Sequence, residues 1–361
     1  MGSNLSALKE RKDLRLLGIS LLSAAVALLV GALVLRVAGY SVVTAYVTLV
    51  QGAFGDMFKI SDTLGVTTPL ILTGLAVTVA IKGGVINIGA EGQMFMGALA
   101  AAYAGVVVRG LPPVLHVAVC VMAAMLAGGL WAMLAGWLKV KLNVSEVVLT
   151  IMLNYVAIFL TDFIVTHHFY DPGAFIVRSP DVLPSAVLQR LYPHSRLTAG
   201  FFIALAVVVV VWFFLGRTNK GFEIRAVGGN IFAAEAGGVL SGRSIVQTMF
   251  ISGTFAGIAG AVEVLGVYRH FVSGFSPGYG FDGLAIAMLG HYNAFGVALG
   301  ALFIGALRSG AMMLDRTTHI PADFVIVIQA VIIAFVATPR FIDVVKRHIS
   351  RIKRKEASAG G

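Results

Sequence analysis

The polar stretch TNKGFEIRAVGGNIFAAEAGGVLSGR, residues 218–243, separates two strongly apolar segments. Loops on the cytoplasmic side of a membrane carry an excess of Lys and Arg, and this stretch has the basic residues expected there: they are Arg217 just before it, Lys220, Arg225 and Arg243. A Gly228-Gly229-Asn230 turn precedes an Ala-rich run. We expect residues 231–236 to form a short helix, capped by Asn230 and stopped by Gly237-Gly238. Such a helix on a cytoplasmic loop predicts a contact site for a soluble partner.

The composition of the 361-residue chain is that of a polytopic membrane protein. Its residues are 58% hydrophobic and 12% charged, with a mean hydropathy of +0.91, a balance that a soluble domain does not show. The net charge is +10, but the basic residues cluster before the first apolar span and after the last one. Because the tail has no aromatic stacking residue beyond Phe341, we expect no nucleic-acid partner. Both termini are expected in the cytoplasm, and lipid surrounds the spans.

Apolar segments of roughly the length that crosses a bilayer recur along the chain. We therefore expect an all-α polytopic membrane protein with about ten membrane-embedded helices. The segments are 16–38, 66–81, 85–108, 113–141, 147–165, 198–215, 244–268, 281–289, 294–314 and 323–338. Segment 281–289 is too short to span and is expected to be a re-entrant half-helix. Residues 40–62 have mixed polarity and are expected to lie along the membrane interface.

The expected domain organisation follows from these segments. Residues 1–15 form a basic cytoplasmic N-terminus, and residues 16–339 form the transmembrane domain. The loop at 216–243 belongs to that domain and carries the expected cytoplasmic helix. Residues 340–361 form a basic cytoplasmic tail.

Three polar side chains interrupt the apolar segment 85–108: Asn87, Glu91 and Gln93. Ionisable groups inside a bilayer are costly, so they should face a cavity or a protein partner. On a helix, Asn87 and Glu91 are four residues apart and share a face, which predicts the lining of a path for a polar solute. Buried hydrogen bonds that only tie helices together are the alternative. Glu263 leaves a similar choice open: it belongs either to an element that joins the polar loop to the path, or to a buried pair with a base.

Two further observations concern chemistry. The motif G-x-x-x-x-G-K-[ST] does not occur, so this chain does not hold ATP phosphates in a P-loop. The pair His167-His168 has no neighbouring Cys or carboxylate cluster, and the single cysteine is Cys120, so we expect no metal site. The chain is expected to be a transport subunit without enzymatic activity or a bound cofactor. If transport is driven by ATP, another polypeptide uses the ATP.

Four stretches resemble the permeases of ABC importers from the sugar and nucleoside branch. They are GFEIRAVGGNxxAAExxGV at 221–239, SGTFAGIAGAVEV at 252–264, NIGAEGQ at 87–93, and Ser145-Glu146 followed by IMLNY up to residue 155. The last two are most similar to bacterial purine-nucleoside importers, and specifically to the longer permease of their pair.

The resemblance implies an assembly in the bacterial inner membrane. Its other members are an ABC ATPase subunit, a second permease that makes a heterodimer, and an extracytoplasmic solute-binding lipoprotein. The residues expected to couple this chain to the ATPase are Glu223, Arg225, Asn230, Ala233, Ala234, Glu235 and Gly238. Asn154 and Tyr155 are expected to offer a hydrogen-bonding edge and a stacking face to a purine ring, with helix packing as the alternative.

Other functions remain open at this point. One is an ABC permease for simple sugars. A second is a self-sufficient secondary transporter or channel, driven by ions through Glu91, Glu263 and Asp162. A third is an intramembrane enzyme that uses Glu91 or His116, which is disfavoured because no paired catalytic residues occur at helical spacing.

Overall fold

The computed structural model describes residues 28–318 together with residues 324, 326, 327 and 330. Within these residues the chain is helical and has no strand, only two isolated β-bridges. The helices are α1 Leu28–Val37, α2 Val42–Phe54, α3 Met57–Lys82, α4 Ala90–Val107, α5 Pro113–Leu142, α6 Glu146–His167, α7 Gly200–Arg217, α8 Asn219–Gly229, α9 Ile231–Ala236, α10 Ser241–Val262, α11 Tyr279–Leu289 and α12 Ala294–Thr318. The all-α prediction is confirmed for the described residues.

The chain divides into two compact units, one of residues 50–310 and one of residues 1–49 with 311–361. In the described part of the second unit, the rings of Tyr40 and Phe324 meet edge to face, with centroids 5.4 Å apart. Most of the expected first span at 16–38 and of the expected last span at 323–338 lies outside the described residues. All the helices between α3 and α11 belong to the unit of residues 50–310.

Six helices are long and apolar enough to cross a membrane, which makes this a multi-pass membrane protein: α3, α5, α6, α7, α12, and α10 with its continuation to Tyr268. Helix α4 has 18 residues, but Glu91 and Gln93 reduce its apolar character. Helix α11 has 11 residues and is too short to span the membrane alone, as we predicted for the segment 281–289.

Two of the six long helices are inside the bundle and three are at its periphery. The apolar stretches of α3 and α10 are 89% and 83% buried, whereas those of α5, α6 and α7 are only 28%, 22% and 28% buried. Helices α5 and α10 pack backbone to backbone, because a Cβ on Gly257 would lie 2.2 Å from the Ala124 carbonyl oxygen. The Gly253/Gly257 pair therefore forms a tight helix contact.

Residues 40–62 do not form the single interfacial stretch that we predicted. Helix α2 ends at Phe54, and Asp56 then caps α3 by accepting a hydrogen bond from the Lys59 N–H at 2.9 Å. Residues 57–62 are thus the first turns of a helix long enough to span the membrane. Because these residues include polar side chains, we predicted the start of the span only at residue 66.

Helix α10 ends in a π-helical turn, Glu263–Tyr268, which closes at Arg269 with φ of 65°. The loop between α6 and α7 runs along this turn and the residues after it. Backbone bonds join the two, from Leu188 N–H to the Leu265 carbonyl at 3.0 Å and from Ser179 N–H to the Phe271 carbonyl at 2.9 Å. A polar loop is in this way tied to the end of a buried helix.

Candidate functional site

The segment that carries Asn87 is not helical. Helix α3 ends at Lys82, Gly84 has φ of +76°, and regular helix resumes only at Ala90. The prediction that Asn87 and Glu91 share one face of a helix is therefore wrong. The double glycine Gly83-Gly84 breaks the helix, and the apolar residues that follow it concealed this break.

Asn87 is the centre of a buried group of amide and hydroxyl side chains. Its amide exchanges two hydrogen bonds with the amide of Gln93, at 2.9 and 3.0 Å, and donates a third to Ser252 Oγ at 2.8 Å. Ser252 in turn donates to the Ala76 carbonyl at 2.6 Å. This group, which we call the amide clasp (Asn87, Gln93 and Ser252), links α3, α4 and α10. Asn87 and Gln93 are almost fully buried.

Glu91 connects the starts of two helices. It lies in the first turn of α4, and its Oε2 accepts the N–H of Gly280, in the first turn of α11, at 2.6 Å. The first N–H groups of a helix lack partners within the helix and carry partial positive charge, so a carboxylate satisfies both needs. The approach requires glycine, because a Cβ on Gly280 would lie 2.2 Å from the Glu91 nitrogen.

The structure does not bring Asn154 and Tyr155 together. Asn154 is buried, accepts the Gly92 N–H at 2.8 Å and donates to the Ile88 carbonyl at 2.9 Å. Tyr155 is 55% exposed on the outside of α6. Asn154 thus holds α6 against the start of α4, and a joint contact of these two side chains with one ring does not follow from this geometry.

Glu263 is fully buried and has a partner, Arg196 from the loop between α6 and α7, with Nη2 to Oε2 at 3.0 Å. The same Nη2 lies 3.5 Å from the hydroxyl of Tyr279. Burial alone would lower the pKa of Arg196, but Glu263, Tyr279 and Tyr268 together more than offset this and raise it, so the guanidinium stays charged. The pair joins the loop to the end of α10 and the start of α11.

A second ion pair lies beside the start of α11, and sequence reasoning missed it. Arg308 of α12 and Asp282 of α11 approach to 2.6 Å, and Arg308 also donates to the Pro277 carbonyl at 3.2 Å. The guanidinium lies over the ring of Tyr279, 5.3 Å from its centroid. The signal was present, since each residue is a charge inside a segment predicted to be membrane-embedded.

The polar segment 218–243 contains two helices rather than one. The predicted short helix is confirmed as α9, Ile231–Ala236, with the Asn230 side chain accepting the N–H groups of Phe232 and Ala233 at 3.0 and 3.1 Å. The predicted turn at Gly228-Gly229 is wrong, because both residues complete α8. Gly238, with φ of +84°, follows the end of α9 as the expected stop.

These two helices are packed onto the bundle by a small apolar core. It consists of buried residues from α8, α9 and the helices beneath them: Ala80, Val85, Ala135, Val227, Ala234, Ile245 and Met249. Of the residues expected to couple to an ATPase, Ala234 points into this core, while Arg225, Asn230, Ala233, Glu235 and Gly238 are exposed. Glu223 pairs with Lys220 at 2.7 Å.

The opposite side of this segment exposes large apolar side chains. Phe222, Phe232 and Leu240 are 62%, 79% and 70% exposed. They lie among charged residues, so this patch differs from the largely apolar outer faces of α5, α6 and α7. Exposed apolar residues surrounded by polar ones are typical of a protein interaction surface.

Comparison with known proteins agrees with this architecture. Residues 59–337 match the family described as branched-chain amino acid transport system / permease component. The guanosine ABC transporter permease protein NupP of Bacillus subtilis is 38% identical over 96% of this chain and 99% of its own length. The nucleoside permease protein NupB of Lactococcus lactis is 33% identical over 91% of this chain and 93% of its own.

A glucose ABC transporter permease protein of Haloferax volcanii is 32% identical over 90% of this chain and 88% of its own length. No solved structure matches the chain significantly. The family match spans most of the sequence and includes every helix of the bundle that carries the amide clasp and both ion pairs. This chain belongs to the family of branched-chain amino acid transport system permease components.

Proposed function

We propose that this chain is the membrane-spanning permease subunit of an ABC importer for nucleosides, most specifically purine nucleosides. The observation that carries the proposal is the segment 218–243, a pair of helices packed onto the bundle by apolar contacts and exposing Phe222, Phe232 and Leu240. The subunit of an ATP-driven importer that has no P-loop itself needs such a surface to receive work from a separate ATPase. The relatives named for guanosine and nucleosides support the solute class.

The proposed assembly has three other members. An ABC ATPase binds the segment 218–243 and uses the ATP, a second permease completes the path, and a solute-binding lipoprotein delivers the solute from outside. The matching of two guanosine permease proteins from one Bacillus subtilis strain, NupP and NupQ, supports a pair of unlike permeases. The location would be the bacterial inner membrane, with both termini in the cytoplasm.

In the proposed membrane arrangement, about ten helices are embedded in the bilayer, with α11 as a half-helix. Movement of α8 and α9 reaches the path through direct contacts. The end of α8 touches the turn after α3, and this turn leads to Asn87 in the amide clasp. Glu91, in the first turn of α4, then bonds Gly280 at the start of α11. Asn87, Glu91, Gln93, Asn154 and Glu263 then act in the path by positioning its helices.

A permease for simple sugars is the second candidate, and the Haloferax volcanii glucose relative favours it. Uptake by the whole assembly in proteoliposomes separates the two. With ATP inside and the binding protein outside, we expect radiolabelled guanosine to accumulate and glucose to compete poorly. Accumulation of glucose but not of guanosine would replace our proposal by the sugar permease.

The coupling assignment has its own test. Replacing Ala233, Ala234 and Glu235 together by glycine removes the helix propensity of α9, since glycine is about 1 kcal/mol less favourable than alanine at each helical position. We expect ATP-driven uptake to be lost. The matched control replaces Phe175, Ile176 and Val177, three exposed residues of the loop between α6 and α7, by glycine and should bind the ATPase normally. Undiminished uptake by the α9 variant contradicts the assignment.

A further inference from the structure

We propose that the ion pair of Arg308 and Asp282 lines the water-filled path and hydrogen-bonds the solute there. Its ligand would be a neutral ring compound with neighbouring hydroxyl or ring-nitrogen groups. The inference rests on the proposed importer function and adds a solute-contacting site to it. Neither residue was among the path candidates that the sequence suggested.

The Arg308–Asp282 pair lies deep along the bundle. Thr73 Oγ1 donates to the Tyr279 carbonyl at 2.9 Å, so the start of α11 lies level with Thr73 of α3. Thr73 is 16 residues after Met57 and nine before Lys82. At a rise of about 1.5 Å per residue, the start of α11 is about 24 Å from one end of α3 and about 14 Å from the other. Asp282, three residues further on, therefore lies well inside the thickness of the spanning helix.

A charged pair at that depth requires water or protein around its exposed part. The side chains of Arg308 and Asp282 are 21% and 18% exposed, although Arg308 Nε and Asp282 Oδ2 are themselves buried. Charged side chains inside a bilayer almost always face a bundle interior or a water-filled cavity, because contact of an ionised group with lipid is costly. The exposed edge of this pair consequently borders water or protein, and in a permease the water at this depth is the path.

This pair has more unused hydrogen-bonding capacity than the other polar residues of the bundle. Asn87, Gln93 and Asn154 are buried and bonded to other residues of the bundle. Within the described residues, Arg308 Nη2 makes the ion pair with Asp282 Oδ2 and the hydrogen bond to the Pro277 carbonyl, while Arg308 Nε and Asp282 Oδ2 are buried without a hydrogen-bond partner. A guanidinium has five N–H donors and a carboxylate has two acceptor oxygens, so the pair keeps donors and acceptors for a ligand. A donor next to an acceptor suits hydroxyl groups or the edge of a heterocycle.

The residue before Asp282 in the sequence is an exposed aromatic residue, Phe281. Phe281 is in the same first turn of α11 as Asp282 and is 44% exposed. Consecutive helical residues do not share a face, so the Phe281 side chain leaves α11 in a different direction from that of Asp282. An exposed ring in the same turn can still stack on the ring of a solute whose polar edge is hydrogen-bonded by the pair. This combination selects for a ring-containing neutral solute over an inorganic ion.

Cysteine accessibility tests whether this place is wet. Cys120, the chain's single cysteine, is fully buried, so the natural chain serves as an unreactive background. We expect Phe281→Cys and Asp282→Cys, each in the whole assembly, to react with a charged, water-soluble methanethiosulfonate, and excess guanosine to slow the reaction. Phe159→Cys on the outer face of α6, where Phe159 is 68% exposed, is the lipid-facing control and should stay unlabelled. Absence of labelling at both α11 positions, or labelling that guanosine leaves unchanged, overturns the inference.

Transport kinetics test whether the pair contacts solute. The labelling variant Phe281→Cys leaves the ion pair intact, so the kinetic test uses other substitutions. Asp282→Asn keeps the size and shape of the side chain but removes its charge. We expect Asp282→Asn and Arg308→Lys to raise the KM for guanosine uptake about tenfold, the effect of losing one hydrogen bond to a charged group. An unchanged KM in both variants overturns the inference. An unmodified assembly that takes up no nucleoside contradicts the proposed function instead, so the two failures are distinguishable.

Discussion

Gly228, at the end of α8, lies directly against Gly84 in the turn after α3. A Cβ on Gly228 would be 2.1 Å from the Lys82 carbonyl oxygen and 2.8 Å from the Gly84 nitrogen. Only glycine permits this approach, and it places the segment 218–243 in backbone contact with the turn that leads to Asn87. We therefore expect a displacement of α8 to reach the amide clasp through this backbone contact and not through flexible side chains.

Gly228→Ala should uncouple the transporter. The added methyl overlaps backbone atoms, which cannot move aside as a side-chain end does, and overpacking of this kind costs about 1–3 kcal/mol. We expect ATP-driven guanosine uptake to fall several-fold while ATP hydrolysis continues. Both rates can be measured in the same proteoliposomes.

Gly229→Ala is the matched control for that prediction. A Cβ on Gly229 meets nothing within 4 Å, and alanine is more favourable than glycine in a helix. Uptake by this variant should be normal or slightly higher. Equal losses in the two variants would show that the close contact with Gly84 does not matter.

The amide clasp should contribute measurably to stability. Asn87→Ala leaves Gln93 and Ser252 without their buried partner, and an unsatisfied buried polar group costs about 1–3 kcal/mol. We expect the melting temperature of the purified assembly to fall. In a double-mutant cycle with Gln93→Ala, the two losses should not add, because residues in one hydrogen-bond network are coupled by about 0.5–3 kcal/mol. Additive losses would mean that the reciprocal amide bonds do not form.

The local signals in the sequence predicted individual helices well, but they did not predict the contacts between helices. Helix α9 was correct because its cap, its Ala-rich run and its glycine stop are all within the segment itself. The Gly228-Gly229 turn was wrong because glycine is favoured at turns, whereas here Gly228 is helical and needed for the approach to Gly84. That contact joins positions far apart in the sequence, so no local pattern reveals it.

The candidate site was predicted in part. Asn87, Glu91 and Gln93 were identified as exceptional because polar groups are costly in an apolar segment, but their bonds to Ser252 and Gly280 depend on how distant segments pack. The partner of Glu263 is Arg196, 67 residues away in the sequence. Arg196 is in a polar loop, where a basic residue is common and does not indicate a buried ion pair. Sequence reasoning therefore found which residues are unusual, while the fold decides what each one binds.

The cap of α9 gives a local prediction. Asn230→Ala removes the acceptor for two N–H groups, and loss of such a cap costs about 1 kcal/mol of helix stability. Because α9 has only six residues, we expect it to fray and the affinity of the permease for its ATPase to drop. Asn230→Asp retains the acceptor and should bind normally in the same pull-down. If Asn230→Ala binds as tightly as the unmodified chain, the capped helix is not what the ATPase recognises.

The pair of Arg196 and Glu263 should show the behaviour of a buried ion pair. Glu263→Leu alone leaves the guanidinium of Arg196 unpaired, and removing one partner of a buried pair costs about 3–5 kcal/mol. Replacing both residues, Arg196→Met with Glu263→Leu, removes both charges together and should recover most of the melting temperature. The exposed pair Lys220–Glu223 is the control, with side chains 55% and 31% exposed, and Lys220→Ala should change stability by less than about 1 kcal/mol. A double variant no more stable than Glu263→Leu would mean that Arg196 serves a further partner, with the hydroxyl of Tyr279 3.5 Å away as the first to examine.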